Sequence, residues 1–182
     1  MRVGRTGRGS EAVHGGGGQA IIRGVQCDEC GFDYEVVSAR SVPDRLRAAG
    51  RALVGALHGD VRARPMPGWS QLEYACHVGD LVDVQRDRVE LALREHCPTF
   101  EAMGREQRAV DDAYNDQDPD VVRQHVVTAV NDFADYLEAL SPEERARTGV
   151  YGYPVPTERT IVWIGIHTLH ELVHHTRDIE QR

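Results

Sequence analysis

Apolar residues recur at helical spacing in four long stretches of the chain, and this pattern constrains the fold more than any other feature. In the first stretch the apolar positions are Val42, Leu46, Ala49, Leu53 and Leu57. Residues three or four apart share one side of a helix, so each stretch predicts an amphipathic α-helix. The predicted helices begin near Ser41, Ser70, Asp118 and Thr157. Because strand patterns are almost absent between them, the sequence predicts an all-α fold, an up-down-type four-helix bundle.

Residues that favour helix starts support these boundaries. Glu73 follows Ser70 by three positions, the spacing of a capping box, and Asp118 precedes Pro119, which suits the first position of a helix. Ser41 is expected to cap the first helix in the same way. The second helix is apolar on two sides, which indicates that neighbouring helices bury both sides.

Composition divides the chain into three regions. Residues 1–24 are rich in glycine and are expected to form a disordered lead. Residues 25–40 contain Cys27-x-x-Cys30 in a short turn-like segment. Residues 41–182 carry the four helical stretches and are expected to form the bundle.

Charge and hydropathy exclude several classes of partner. The 182-residue chain has a net charge of −8, whereas nucleic-acid binding usually needs a basic face. It has no apolar run of the roughly 20 residues that cross a membrane and no apolar stretch typical of a secretory leader, so we expect a cytoplasmic protein. All 21 basic residues are arginine, which indicates GC-rich coding. Small molecules and a second copy of the chain, in a homodimer, are the expected partners.

The last predicted helix carries an unusual set of potential metal ligands. Four histidines and a glutamate occur within nine residues, His167 to His175. Residues four apart lie on one helical face, which gives three candidate ligand pairs: His167 with Glu171, His170 with His174, and Glu171 with His175. The apolar stripe of this helix does not choose among them. A divalent metal needs a further ligand from another helix, and His77, in the middle of the second helix, is the natural donor.

Two segments of the chain resemble the DinB-like superfamily, which includes mycothiol-dependent maleylpyruvate isomerases and bacillithiol transferases. The segment from Trp69-Ser70 to His77, with Asp80 three residues later, is similar to the second helix of that family. The ending Glu171-x-x-x-His175-x-x-Asp178-Ile179 is similar to the last helix of its mycothiol-dependent branch. The resemblance covers residues 41–182. It implies a four-helix bundle that binds one divalent metal through His77, Glu171 and His175, with zinc expected and nickel, manganese or iron as other candidates.

The same resemblance implies an activity. A metal-dependent thiol S-transferase would join a low-molecular-weight thiol, here mycothiol, to an electrophilic small molecule, and it would need no catalytic residue beyond the three ligands. Two alternatives remain open: a hydrolase that uses metal-bound water, and a metal-binding module without catalytic activity. Asp80 and Asp178 are candidates for orienting the ligand histidines, with plain surface acids as the alternative.

The sequence also predicts roles for the cysteines and for the other histidines of the last helix. Cys27-x-x-Cys30 is half of a zinc knuckle, and a complete site would need two more ligands, for which His96 or Cys97 are the candidates. Reduced thiols without metal are the alternative. Cys76 is expected in the core. The other histidines of the last helix, His167, His170 and His174, are expected to face solvent or to surround the metal ligands.

Overall fold

The apolar periodicity is confirmed: four long helices form a bundle in the computed structural model of the chain. The structure describes residues 22–23, 26–64, 68–152 and 155–181. The predicted disordered lead, residues 1–24, lies outside this part except for a two-residue strand. The helices are α1 (Val42–Ala56), α2 (Gln71–Arg94), α3 (Arg105–Asp111), α4 (Pro119–Ala139), α5 (Pro142–Arg145) and α6 (Ile161–Glu180). The strands are β1 (Ile22–Arg23), β2 (Gln26–Cys27), β3 (Thr148–Tyr151) and β4 (Thr157–Thr160).

Two of the three predicted caps are present at the helix starts. The Ser70 hydroxyl accepts from the Glu73 amide, and the Glu73 carboxylate accepts from the Ser70 amide, which completes the capping box of α2. Asp118 accepts from the first amides of α4. Ser41 does not cap α1, because its hydroxyl donates to the Ser38 carbonyl oxygen instead.

The four long helices follow each other around the bundle in the order α1, α4, α2, α6. Both α1 and α2 pack against α4 and α6, so these two consecutive helices occupy opposite corners. Val42 at the start of α1 lies against Gly165 near the start of α6, so these two helices run in the same direction. By contrast, Gly50 of α1 faces Val130 of α4, while the earlier Arg47 reaches the later Asp135, so α1 and α4 run in opposite directions.

The directions depart from strict up-down alternation at one step, from α2 to α4. The segment between them contains α3 and a short 3-10 turn, and it returns to the start of α2, where Asn115 accepts from the Ser70 hydroxyl. This segment runs back along the whole length of α2, which is about 36 Å for its 24 residues. Helix α4 therefore begins beside the start of α2 and runs parallel to it. This return also packs Tyr114 against the first turns of α2, where it donates to Asp80.

A β-hairpin precedes α6 where the sequence predicted a loop and a helix start near Thr157. Strands β3 and β4 pair antiparallel from Thr148↔Thr160 to Tyr151↔Thr157, and α6 begins only at Ile161. Thr160 caps this helix by accepting from the Trp163 amide. Gly149 of the hairpin lies close against the tip of the Phe100 ring, since a Cβ built there would approach Cζ of the ring to 2.2 Å. Strands this short give little alternation in sequence, so the helical pattern dominated the prediction.

Among the described helices, no segment combines the length and apolarity needed to cross a lipid bilayer. The apolar faces instead point into a shared core between the four long helices. Phe133 of α4 lies at its centre with no exposed surface, and Leu46, Leu72 and Leu172 of the other helices are equally buried.

We expect Phe133→Ala to lower the free energy of unfolding by about 3–5 kcal/mol, because the truncated ring leaves a cavity in a core that relaxes only partly. Denaturant unfolding of purified protein measures the change. Val121→Ala on the exposed side of the same helix is the matched control and should change stability by less than about 0.5 kcal/mol. Equal effects of the two substitutions would contradict this assignment of the core.

Candidate metal centre

Helices α2 and α6 bring His77, Glu171 and His175 together. One potential ligand atom from each of these residues lies within 4.8 Å of those from the other two. Glu171 and His175 are one helical turn apart on α6, and His77 faces them from α2, with the His77 and His175 rings 5.1 Å apart between centroids. The three residues that the family resemblance implies therefore form one cluster, which is a geometry that local sequence spacing alone did not determine.

Each of the two histidines presents a buried nitrogen without a hydrogen-bond partner, although His175 Nε2 lies 3.5 Å from a carboxylate oxygen of Glu171. Nδ1 of His77 and Nε2 of His175 are buried and make no hydrogen bond within the described residues. A buried polar atom left without a partner costs about 1–3 kcal/mol, so native proteins rarely keep one without a reason. A metal ion bound to these nitrogens would satisfy both.

Asp178 fixes the orientation of His175. Its Oδ2 lies 2.8 Å from His175 Nδ1, so Nδ1 carries a proton and donates, and Nε2 faces Glu171, whose Oε2 is 3.5 Å away. Such carboxylate–histidine pairs are typical around bound metals. Asp80, the other candidate for this role, accepts from Tyr114 and lies 3.8 Å from Arg108.

The charges in the cluster favour a cation. Burial lowers the pKa of His77 to about 3, helped by the neighbouring His175, so His77 is neutral and keeps a lone pair for a ligand bond. Burial would raise the pKa of Glu171, but hydrogen bonds from His170 and His175 hold it well below its usual range. Burial likewise opposes protonation of His175, yet Asp178 and Glu171 raise its pKa to about 9. An ionised, buried Glu171 thus requires a positive partner, which is either a proton on His175 or a divalent metal.

Aromatic side chains close the cluster on the α2 side. The Trp69 ring meets His77 edge-on at 5.5 Å, and the Tyr74 ring lies 5.4 Å from His175. The guanidinium of Arg105 lies 5.7 Å from the centre of the Trp69 ring and adds positive charge near His77. The Glu171 side chain is 19% exposed, whereas His77 and His175 are buried, so the cluster is most accessible at Glu171.

The donor set suits a catalytic divalent site. Two imidazole nitrogens and one carboxylate oxygen are the three protein ligands of several catalytic zinc sites, which keep the fourth position for water or substrate. A separate recess between α1 and α6, lined by Val42 and Gly165, has a volume of about 20 Å³. It has room for about one water molecule and contains none of these ligands.

The other histidines of α6 were expected either to face solvent or to surround the metal ligands, and the structure does not place them in solvent. His170 and His174 are buried, and His167 is stacked on Trp163 at 4.6 Å with Nδ1 2.9 Å from the Tyr34 hydroxyl. His170 does contact the cluster, because its Nδ1 lies 3.1 Å from Glu171 Oε1.

His170 and His174 also belong to a second group of potential ligands. Their nitrogens and the sulfurs of Cys27 and Cys30 lie within 4.8 Å of one another. His96 and Cys97, the candidates from sequence, are not in this group. The sequence signal was present but not used: Cys-x-x-Cys and His-x-x-x-His are the two halves of a Cys2His2 pattern, here separated by most of the chain. Cys76 lies in the core as predicted.

Comparison with known proteins agrees with the fold. YfiT from Bacillus subtilis, described as a probable metal-dependent hydrolase with an unusual four-helix bundle topology, superposes with a TM-score of 0.69 at 16% sequence identity. The match covers 81% of this chain and 90% of YfiT. A search of curated protein sequences finds no significant match.

The profile of the DinB superfamily matches residues 42–179, from the start of α1 to the end of α6. This region contains all four long helices together with His77, Glu171 and His175. The chain belongs to the DinB superfamily.

Proposed function

We propose that this protein is a metal-dependent thiol S-transferase that joins a low-molecular-weight thiol of the mycothiol type to an electrophilic small molecule. The observation that carries the proposal is the convergence of His77 and His175, each with a buried nitrogen that makes no hydrogen bond, on the carboxylate of Glu171. Three protein ligands leave room for a fourth, which is the arrangement of a catalytic site rather than a closed structural one.

In this proposal the three ligands hold one divalent metal, with zinc favoured and nickel, manganese or iron as other candidates. A metal held there would supply Lewis acidity, which lowers the pKa of a thiol or a water molecule and yields a nucleophile at neutral pH. Glu171 balances part of the charge. Asp178 keeps the His175 proton on Nδ1, so that Nε2 remains a ligand.

The transfer step needs no nucleophile from the protein. The thiol loses its proton to solvent, and its sulfur attacks the electrophilic carbon of the second substrate. A carbon–sulfur bond forms while the bond to the leaving group breaks, and the leaving group departs with the bonding electrons. Trp69 and Tyr74 form an aromatic wall beside the ligands, and sulfur makes favourable contacts with aromatic rings.

Hydrolysis is the second candidate, favoured by the likeness to YfiT. A hydrolase would use water as the nucleophile and would profit from a free general base close to the ligands. Both carboxylates at the cluster are already engaged, Glu171 with His170 and His175, and Asp178 with His175. The thiol route needs no such base, because a free thiol already ionises near pH 8.5.

Three features favour mycothiol over other small thiols. The ending from Glu171 to Asp178 resembles the mycothiol-dependent branch of the superfamily, and the absence of lysine indicates GC-rich coding. Arg105 beside Trp69 adds a cation and hydrogen-bond donors near the proposed site, which suits the polar groups of a sugar-linked thiol.

We expect His77→Ala to lower the metal content of untagged, metal-loaded protein by about one ion per chain, because two ligands on one helix hold a metal less well than three. Elemental analysis after gel filtration measures the content, and circular dichroism checks that the bundle is intact. His125→Ala is the control: this half-exposed histidine pairs with Asp83 outside the cluster, and its loss should leave the content unchanged. Full metal content in His77→Ala would remove His77 from the ligand set.

We expect transfer to a fluorogenic haloalkyl electrophile to be at least about tenfold faster with mycothiol than with equal concentrations of bacillithiol or glutathione, a difference of about 1.4 kcal/mol in transition-state binding. Removal of metal should abolish the enzymatic rate, and metal should restore it. Equal rates with all three thiols, or rates independent of metal, would contradict the proposal. Turnover of ester or amide substrates without thiol would instead support the hydrolase, and no turnover at all a binding module.

A further inference from the structure

We propose that Cys27, Cys30, His170 and His174 form a second metal site, a structural zinc site that fastens the segment before the bundle to α6. Their four potential ligand atoms lie within 4.8 Å of one another, and none of these residues belongs to the cluster of His77, Glu171 and His175. The proposal therefore does not depend on the proposed function. The superfamily profile begins at residue 42, so both cysteines lie outside the region it matches.

The backbone around the cysteines has the geometry of a metal-binding knuckle. The Gly31 amide donates to the Cys27 carbonyl oxygen at 2.9 Å, and the Cys27 amide donates to the Phe32 carbonyl oxygen at 2.8 Å. These bonds close a tight turn that brings the two thiols to the same side. Gly31 has φ +74°, and nothing lies within 4 Å of a Cβ built there, so the turn requires glycine for its backbone conformation and not for space.

The histidines meet the thiols from one turn of α6. Nδ1 of His174 lies 3.9 Å from Cys27 Sγ. His170 is 1% exposed, and its Nε2 is buried without a hydrogen-bond partner. Because Nδ1 of His170 is turned to Glu171 at 3.1 Å, Nε2 is the nitrogen left to bind a metal. A bound metal would satisfy an atom that the protein leaves without a partner.

Two carboxylates lie beside His174 of this second group, as Asp178 lies beside His175 of the first. Nε2 of His174 lies 3.4 Å from Glu29 Oε2 and 3.6 Å from Asp178 Oδ2. The nitrogen of His174 that faces away from Cys27 therefore has acceptors for its proton, so that Nδ1 keeps its lone pair. Hydrogen-bonded carboxylates of this kind fix the tautomer and orientation of metal-bound histidines.

The charges of the four ligands match a divalent metal. On binding, each thiol releases one proton to solvent, and two thiolates with two neutral imidazoles make the complex with a dication neutral. A neutral complex suits the position, since Cys27, His170 and His174 are buried. Two sulfur and two nitrogen ligands favour tetrahedral zinc, and four protein ligands leave no position for a substrate.

The site would fasten the knuckle of residues 27–32 to α6. Other contacts join the same parts: the Phe32 ring lies 5.4 Å from His170, and Glu29 contacts both His174 and Arg177. Just beyond the knuckle, the Tyr34 hydroxyl lies 2.9 Å from His167 Nδ1. Zinc would thus hold residues 27–32 against the side of α6 that α1 and α2 do not cover. It would also fix His170, which contacts Glu171.

Cobalt substitution tests the site in the whole, untagged protein, prepared under reducing conditions and loaded with Co²⁺ alone. We expect thiolate-to-cobalt charge-transfer absorption together with the intense visible bands of tetrahedral cobalt. The cluster of His77, Glu171 and His175 has no sulfur ligand of its own, so it cannot give the charge-transfer band when the reductant is a phosphine and no free thiol is present. His77→Ala should keep the band, and the double variant Cys27→Ser/Cys30→Ser should lose it. Absence of the band from fully loaded wild-type protein would overturn the proposal, whatever the variants do.

Zinc content separates the two sites. Wild-type protein should bind about two zinc ions per chain, and the double serine variant and His77→Ala about one each. Cys97→Ser, at a half-buried cysteine outside the group, is the matched control and should bind as many as wild type. Two zinc ions in the double serine variant, or a Cys27–Cys30 disulfide in place of metal in the reduced preparation, would overturn the second site. Unchanged content in His77→Ala would overturn only the first.

Discussion

The bundle buries most of the Glu171 carboxylate, whose side chain is 19% exposed, and much of the structure around α6 follows from this constraint. The oxygens of Glu171 lie 3.1 Å from His170, 3.5 Å from His175 and 3.6 Å from His167. A buried negative charge is costly unless hydrogen bonds and positive charge compensate it. The histidines of α6 surround the carboxylate, and His77 comes from α2 to complete a group of side chains that could hold a cation. Polar residues therefore occupy positions on α6 that an ordinary bundle helix would give to apolar ones.

The burial of both flanks of α6 explains why sequence periodicity did not distinguish the ligand pairs. Glu171 and His175 face α2, while His170 and His174 face the knuckle of residues 27–32, so both pairs are shielded from water. A helical wheel separates buried from exposed sides and carries no information about which neighbour covers each buried side. The family resemblance selected Glu171 and His175. The sequence contains Cys-x-x-Cys and His-x-x-x-His, but only the tertiary contact between Cys27 and His174, which are 147 residues apart, shows that the two motifs meet.

The sequence predicts the parts of the fold that depend on neighbouring residues, such as helix caps. It predicts less well the parts that depend on tertiary contacts, such as the order of the helices. The caps at Ser70 and Asp118 were predicted correctly because each side chain accepts a hydrogen bond from a backbone amide two or three residues later. The order of the helices around the bundle depends on the return of residues 95–118 to the start of α2, and no local pattern encodes that path. The hairpin before α6 was missed for a similar reason, since its contact with Phe100 holds strands too short to be recognised in sequence.

The two groups of ligands share neighbours, so they are not independent in the folded protein. Asp178 Oδ2 lies 2.8 Å from His175 Nδ1 and 3.6 Å from His174 Nε2, and His170 contacts Glu171. Their ligand chemistry nevertheless suits different tasks. With a divalent metal, two imidazoles and one carboxylate leave a net positive charge and an open position, which attract an anionic nucleophile such as a thiolate. Two thiolates and two imidazoles leave a neutral, closed complex that attracts none. Because α6 contributes two residues to each group, the two proposals together would give one metal a role in chemistry and the other a role in holding that helix in place.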